Sequence, residues 1–246
     1  MVAHAEFLRA ALDDEALSRE ALASPRKLAR HDDETIAAIA ALTYAVTATP
    51  WSLTADDLEP ARGAGLDDAS ILHVVLQATN FGHLNRIADA VDVEADYPDR
   101  FGAPRARPEV EPWPMPEDPP PAAVGPIQLE LRPGVAEIYT AWQAHALDRE
   151  TRSLDRRRRA VIARAVARRI GDTRGLGGDP VDELDHALVE LADVVTLAPW
   201  RLGPVAYQRV RSLGLSDDAQ VFDAVATASS CTVFSRIATV LAGFAR

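Results

Sequence analysis

Apolar positions recur at helical spacing through most of this chain of 246 residues, and polar positions fill the opposite faces. Segment 3–12 places Phe7, Leu8, Ala11 and Leu12 on one face, and segment 32–47 does the same with Ile36, Ile39, Ala40 and Tyr44. Pro50 stops the second of these, because proline lacks the backbone donor that a helix interior needs. Thr54 is placed to cap a short helix whose first turn carries Asp56 and Asp57, where the helix dipole favours acids. Gly63 and Gly65 end it. Asp67 or Asp68 then opens a long helix to about residue 91, with the stripe Ile71, Leu72, Val75, Thr79, Leu84, Ile87 and Val91. Further helices are predicted over 133–147, 154–170, 180–196, 204–213 and 216–244, with a glycine-rich turn at 175–178. Segment 127–131 alternates, but it sits in a proline-rich stretch and reads as an extended docked segment, not a sheet strand. The expected class is all-α.

The pattern is stated twice. Pro50-Trp51-Ser52-Leu53, eleven residues, then Gly65-Leu66 is answered by Pro199-Trp200-Arg201-Leu202, eleven residues, then Gly214-Leu215. Both copies run on to Arg-Ile-Ala, at Arg86-Ile87-Ala88 and Arg236-Ile237-Ala238, the second with one extra residue on the way. Such an echo implies an internal duplication whose halves pack about a pseudo-two-fold axis. Eleven of the seventeen prolines fall between Pro98 and Pro133, which marks a connector. The expected organisation is a helical repeat over 1–95, a connector over 96–132 and a second repeat over 133–246. Trp113 inside the connector predicts that part of it is pinned to a domain surface.

Composition narrows the function classes. A net charge of −11 disfavours a nonspecific nucleic-acid or anionic-membrane binder, although Arg156 to Arg159 form a local basic run. Hydrophobic content of 48% and charged content of 26% fit a folded globular protein. One cysteine, Cys231, rules out an intrachain disulfide and fits a reducing compartment. With no basic leader and no uninterrupted apolar run of membrane-spanning length, a cytoplasmic location is expected.

Thr47-x-x-Pro50-Trp51-x-Leu53-Thr54, then Asp57, Ala64-Gly65-Leu66-x-Asp68-x-x-Ile71-Leu72 and Phe81-x-x-x-Asn85-Arg86-Ile87-Ala88-Asp89-Ala90 resembles the carboxymuconolactone decarboxylase and alkylhydroperoxidase D-like superfamily, nearest its peroxidase-related branch. The resemblance covers about 4–94 well and 133–246 more loosely. It implies an all-helical fold of two such domains, assembly into a homo-oligomer with a dimer favoured, and descent from a thiol hydroperoxide reductase. Redox members of that family use a Cys-x-x-Cys pair, a histidine four residues after the second cysteine and a glutamate on the preceding helix. Here His4-Ala5-Glu6-Phe7-Leu8-Arg9 resembles the segment after the pair, so both cysteines would fall just before Met1. Either the coding sequence starts further upstream or the thiol site has been lost. The expectation for the chain as it stands is that thiol activity is absent.

The residues themselves offer few candidates for chemistry. His4 is the one position that the resemblance carries over, as a residue that would tune a thiolate. Asn80, His83 and Arg86 follow one another at spacings of three on the long first-half helix, which aligns them along one face. His83 is the candidate base, its pKa lowered by a nearby arginine, with Asn80 and Arg86 as substrate-binding groups. Against this stands a core histidine with one nitrogen satisfied. Arg86 matches Arg236 in the second copy whereas His83 matches Val233, so the arginine reads as structural, bonded to a carboxylate or a helix C-terminus at a junction. Cys231 has no basic neighbour in sequence and reads as a buried small hydrophobe. His73, Asp182 and His186 belong to no metal-ligand set, and no cofactor or metal is expected. Trp51 and Trp200, each after a proline, point to packing at equivalent corners. Three readings stand together: a thiol reductase by descent, a ligand-binding or oligomeric scaffold that takes a small apolar or acidic molecule, and a thiol-independent, decarboxylase-like enzyme using His83.

Overall fold

A computed structural model of the chain describes residues 16–17, 25–93, 109–118, 124–150 and 153–246. The predicted helix over 3–12 and His4 lie outside these. The described residues hold nine helices and no strand: α1 Pro25–Leu28, α2 Glu34–Ala48, α3 Glu59–Gly63, α4 Asp68–Ala90, α5 Val135–Leu147, α6 Arg156–Ile170, α7 Glu183–Leu197, α8 Pro204–Ser212 and α9 Asp218–Gly243. Five of them start on an aspartate whose carboxylate accepts backbone N–H bonds of the first turn: Asp33, Asp67, Asp155, Asp182 and Asp217. That satisfies donors a helix start leaves unpaired and sets an anion at its positive end.

Several elements of the two halves correspond in order. α2 and α7 are each 15 residues long, and each runs into a three-residue 3-10 turn, Pro50–Ser52 and Pro199–Arg201. The extra residue of the second copy is Ser216, which stands just before the Asp217 cap, where the first copy passes directly from Leu66 to Asp67. α9 packs on α4 along much of its length, and each also reaches the other half's Pro-Trp turn. The cores interlock as a result. Ala90, at the end of α4, joins the second-half core with Ile162, Leu188 and Val225. Val240 and Phe244, at the end of α9, join the first-half core with Leu42, Ile71 and Val75. Apart from Ala90, each of these side chains contributes roughly 1.5–3 kcal/mol by leaving water, so the halves are held by apolar burial as much as by any polar contact. α9 is long and apolar enough to cross a membrane, but 83% of its most apolar window is buried within the protein, where it serves as the central core helix.

The connector is pinned, as Trp113 predicts. Val110 donates its N–H to the Leu197 carbonyl, Glu111 to that of Ala48 and Trp113 to that of Arg169. These are the C-terminal carbonyls of α7, α2 and α6, which have no partner inside their own helices. Leu197 and Ala48 occupy equivalent places in the two halves, so adjacent connector residues tie off equivalent helix ends. Two local expectations change. The helix after Thr54 begins as a 3-10 turn, Ala55–Leu58, closed by a Thr54–Asp57 capping box, before α3. Segment 127–131 is not extended throughout: Leu129–Leu131 forms a 3-10 turn, and Ile127 is buried in the first-half core.

Candidate functional site

Asn80, His83 and Arg86 share a helix, α4, but do not converge. Asn80 is exposed, His83 is half-buried and Arg86 is buried. A spacing of three drifts around the helix, and α9 covers only part of the arc the three residues sweep. His83 lies where α4 crosses α9. Its Nδ1 is 2.8 Å from Ser229 Oγ, and Ser229 Oγ donates to the His83 carbonyl at 3.0 Å. Both bonds form together when Nδ1 carries the proton and donates to the hydroxyl. Trp142 of α5 meets the imidazole edge to face at 5.1 Å between ring centres, and Trp142 and Tyr139 meet Phe234 edge to face at 5.2 and 5.5 Å. Burial lowers the His83 pKa, with the charge of Arg86 as a lesser cause acting the same way. The neutral imidazole that the sequence suggested is therefore present, chiefly from desolvation and not from the arginine. Ser229, at 0% exposure, is closed to any substrate. The arrangement joins two helices, and one nitrogen is satisfied by the hydroxyl, as in the core-histidine reading.

Arg86 serves the junction. It donates to the Gly82 carbonyl at 2.9 Å and, from Nε and Nη2, to the Thr196 carbonyl at 3.4 Å in the last turn of α7. This is the helix C-terminus expected for it, where the negative end of the dipole offsets the buried charge. Burial still pushes its pKa down to about 10.

The basic run 156–159 resolves into separate internal ion pairs. Arg156 pairs with Asp148, and Arg157 and Arg158 with Asp182 and Asp185. Arg159, only 3% exposed, reaches Asp223 at 2.6 Å and Thr227 at 2.8 Å. Asp185 is fully buried and also accepts the Val181 N–H at 3.0 Å.

Cys231 is buried, and its thiol pKa is pushed up to about 12 by desolvation. Sequence showed no basic neighbour, but the fold brings Arg159 and Arg174 close enough to favour the thiolate. Burial outweighs both. No group of three or more His, Cys, Asp or Glu side chains placed to hold a metal occurs among the described residues.

Recesses among the described residues lie elsewhere, two of which are well formed. One, of about 360 Å³, lies between α2 and α4 and includes Thr43, His73, Phe81 and Asn85. The other is a largely apolar cavity of about 470 Å³, bounded by the pinned connector, the end of α6 and the last turns of α9. Trp51 and Trp113 line it, so Trp51 does more than pack a corner; Trp200 lines neither recess. The Trp113 ring lies over Gly171, the residue that ends α6 in a left-handed conformation (φ +81°). Asp172 and Arg174 form a two-bonded pair in the wall at 2.9 and 2.7 Å, with Arg174 also donating to the Phe234 carbonyl at 3.3 Å. Burial works against the Arg174 charge, but Asp172 outweighs it and raises the pKa above the ordinary arginine value. Thr239, 7% exposed, lines the same cavity, and its Oγ1 has no hydrogen-bond partner. Sequence reasoning missed this place because its wall joins residues 51, 113, 171 and 239; the one usable signal was an indole inside a proline-rich connector. Comparison of the chain with protein-family models, with curated proteins and with solved structures returned no match.

Proposed function

We propose that this chain is a small-molecule-binding helical protein without thiol hydroperoxide reductase activity, built by duplication on the frame of the superfamily it resembles. The observation that carries the reading is Cys231. A two-cysteine peroxide cycle needs one thiolate to attack and a second thiol to resolve the sulfenate. The chain has a single cysteine, buried, with its pKa pushed up to about 12. At pH 8 such a thiol is ionised to roughly one part in ten thousand. The reciprocal matching of helices and their contacts supports the duplication. His83 supports binding no more than catalysis, since its Nδ1 is engaged within the helix crossing. Self-association as a homodimer is part of the same proposal, and a strict monomer by light scattering at micromolar concentration counts against it.

The test is turnover of organic hydroperoxides with dithiothreitol as reductant. The expected rate equals the protein-free background, and Cys231→Ser leaves it unchanged. Catalytic turnover that Cys231→Ser abolishes overturns the reading. In the folded protein Ellman's reagent should leave Cys231 unreacted, and guanidinium should expose one thiol per chain.

A further inference from the structure

We propose that the cavity between the connector, the end of α6 and the end of α9 binds a flat aromatic compound that carries one carboxylate, and that Arg246 holds the carboxylate. This rests on the binding-protein reading above and names its site and ligand class.

Three observations carry it. The first is shape and lining. The volume of about 470 Å³ falls within the range of about 300–1,000 Å³ usual for small-molecule sites. Trp51, Trp113, Pro114 and Pro116 line it, a ring-rich wall that suits a flat apolar ligand. Part of this wall is fixed in advance: the Trp113 backbone N–H donates to the Arg169 carbonyl at 3.1 Å, and the ring is seated on Gly171. A ligand then has little of the wall to order on entry.

The second is a positioned charge. Arg246 lines the cavity, and its Nη2 donates to the carbonyls of Trp51 and Leu53 at 2.9 and 3.0 Å. Trp51 is itself a lining residue, so the guanidinium is anchored at the Trp51 end of the wall. It also lies against Gly243, the last residue of α9, where an added Cβ would stand 3.3 Å from the same Nη2. The two carbonyls take both protons of Nη2. Nε and Nη1 have no acceptor among the described residues, and Arg246 forms no salt bridge with any of them. The charge is held in place but not neutralised, and an incoming carboxylate can take the remaining donors without displacing a partner.

The third is the state of the other charges in the wall. Asp172 and Arg174 neutralise each other through two bonds at 2.9 and 2.7 Å, and the Asp172 side chain is only 1% exposed. That pair offers a ligand no unbalanced charge. Glu130 also lines the cavity, but it is exposed and forms no ion pair among the described residues, so its carboxylate can turn to water at no loss of a partner. Among the described lining residues, the charge that is both fixed in position and unbalanced is that of Arg246. It favours an anion over a neutral ligand of the same shape and opposes a cation.

Three probes that share one ring system test the proposal by calorimetry on the full chain. At pH 7 2-naphthoate is anionic, 2-naphthamide is its neutral isostere and 2-(aminomethyl)naphthalene is cationic. Saturable binding of 2-naphthoate is expected, about three- to tenfold tighter than 2-naphthamide, with the cation weakest. Raising the salt from about 0.05 M to about 0.5 M should shrink that preference. Arg246→Gln should bring 2-naphthoate down to the level of 2-naphthamide, and Arg246→Lys should keep part of the difference. A parallel measurement needs no variant: the indole N–H resonances of Trp51 and Trp113 should shift with 2-naphthoate while those of Trp142 and Trp200 stay. Tighter binding of 2-naphthamide or of the cation, a preference that survives Arg246→Gln, shifts confined to Trp142 or Trp200, or no saturable binding overturns the proposal. Peroxide turnover through Cys231 sinks the thiol-free reading whatever the probes do. Background turnover together with absent probe binding sinks this inference alone.

Discussion

Arg86 donates to the carbonyl of Thr196 across the boundary between the halves, and Arg236 returns the contact by donating to the carbonyl of Thr47. Thr47 and Thr196 stand at equivalent points in the last turns of α2 and α7. Each arginine also bonds the carbonyl four residues back on its own helix, Gly82 and Thr232. Both guanidiniums are buried, and burial lowers both pKa values, that of Arg236 with Arg86 adding a like-charge contribution. Among the described residues no salt bridge is formed by either; the Asp89 charge favours that of Arg86, and the helix C-termini add negative potential at both.

Removing either arginine should therefore loosen the joint between the halves. Arg236→Ala is expected to lower the unfolding free energy by about 2–4 kcal/mol, from lost packing of a large buried side chain and from a helix-end carbonyl left without its donor. Arg86→Ala should act in the same direction. Arg236→Met, which keeps the volume and drops the charge, should cost clearly less than Arg236→Ala. Urea titration followed by circular dichroism measures all three. A neutral Arg236→Ala would show that the reciprocal clamp contributes nothing.

His83 should make stability depend on pH near neutrality. Its folded pKa lies below the ordinary value of 6.5, chiefly through burial. The unfolded chain therefore takes up a proton near pH 6.5 while the folded chain does not, and stability falls as pH drops through that value until the folded pKa is reached. The denaturation midpoint at pH 5.5 should thus lie below that at pH 7.5. His83→Leu should flatten this part of the profile. An unchanged slope in His83→Leu would assign the dependence to other groups.

Much of this architecture was legible in the chain, because helix ends are written locally. An aspartate cap, a proline stop or a left-handed glycine acts within a turn of its own position, and Asp33, Asp67, Pro50 and Gly65 each mark an end. What stayed hidden depends on pairs far apart in sequence. Arg159 looked like one of four adjacent surface charges, yet it is buried against Asp223 and Thr227. The other half gave no hint of this pair, since His73 stands there where Asp223 does and is exposed. Asn80, His83 and Arg86 looked like a site because periodicity fixes a face but not what covers it. The cavity was invisible for the same reason: Trp113 and Gly171 are 58 positions apart, and only the fold sets one on the other.

Acid should unfold the protein partly through Asp185. Burial works to raise its pKa, but the bonds from Arg157 and the Val181 N–H outweigh this and hold it below the usual aspartate value. A depressed carboxylate contributes stability that is present above the unfolded pKa near 3.9 and is lost as pH falls through the folded value. Asp185→Asn should remove that contribution, so the variant is destabilised at pH 7 and loses less than the parent between pH 4 and 2. Arg157→Ala should weaken the same acid transition. Acid titration by circular dichroism checks the pair, and parallel curves for parent and Asp185→Asn would reject the assignment.

Gly171 links backbone conformation to the cavity wall. It ends α6 at φ +81°, which a residue with a Cβ adopts at a cost, and an added Cβ would meet the Trp113 ring at 2.9 Å. Both effects oppose alanine here. Gly171→Ala should lower stability by about 1–2 kcal/mol from the left-handed conformation and should push Trp113 off its seat. Part of the indole would then enter water, so tryptophan emission should shift to longer wavelength in the folded variant. The Trp113 N–H bond to Arg169, formed by the backbone beneath the ring, would lose its geometry as well, leaving the α6 end short of a donor. Gly175, also at positive φ but with open space around its Cβ position, is the control: Gly175→Ala should carry the conformational cost without the emission shift. Equal emission from the two variants would show that Trp113 does not depend on Gly171 for its place in the wall.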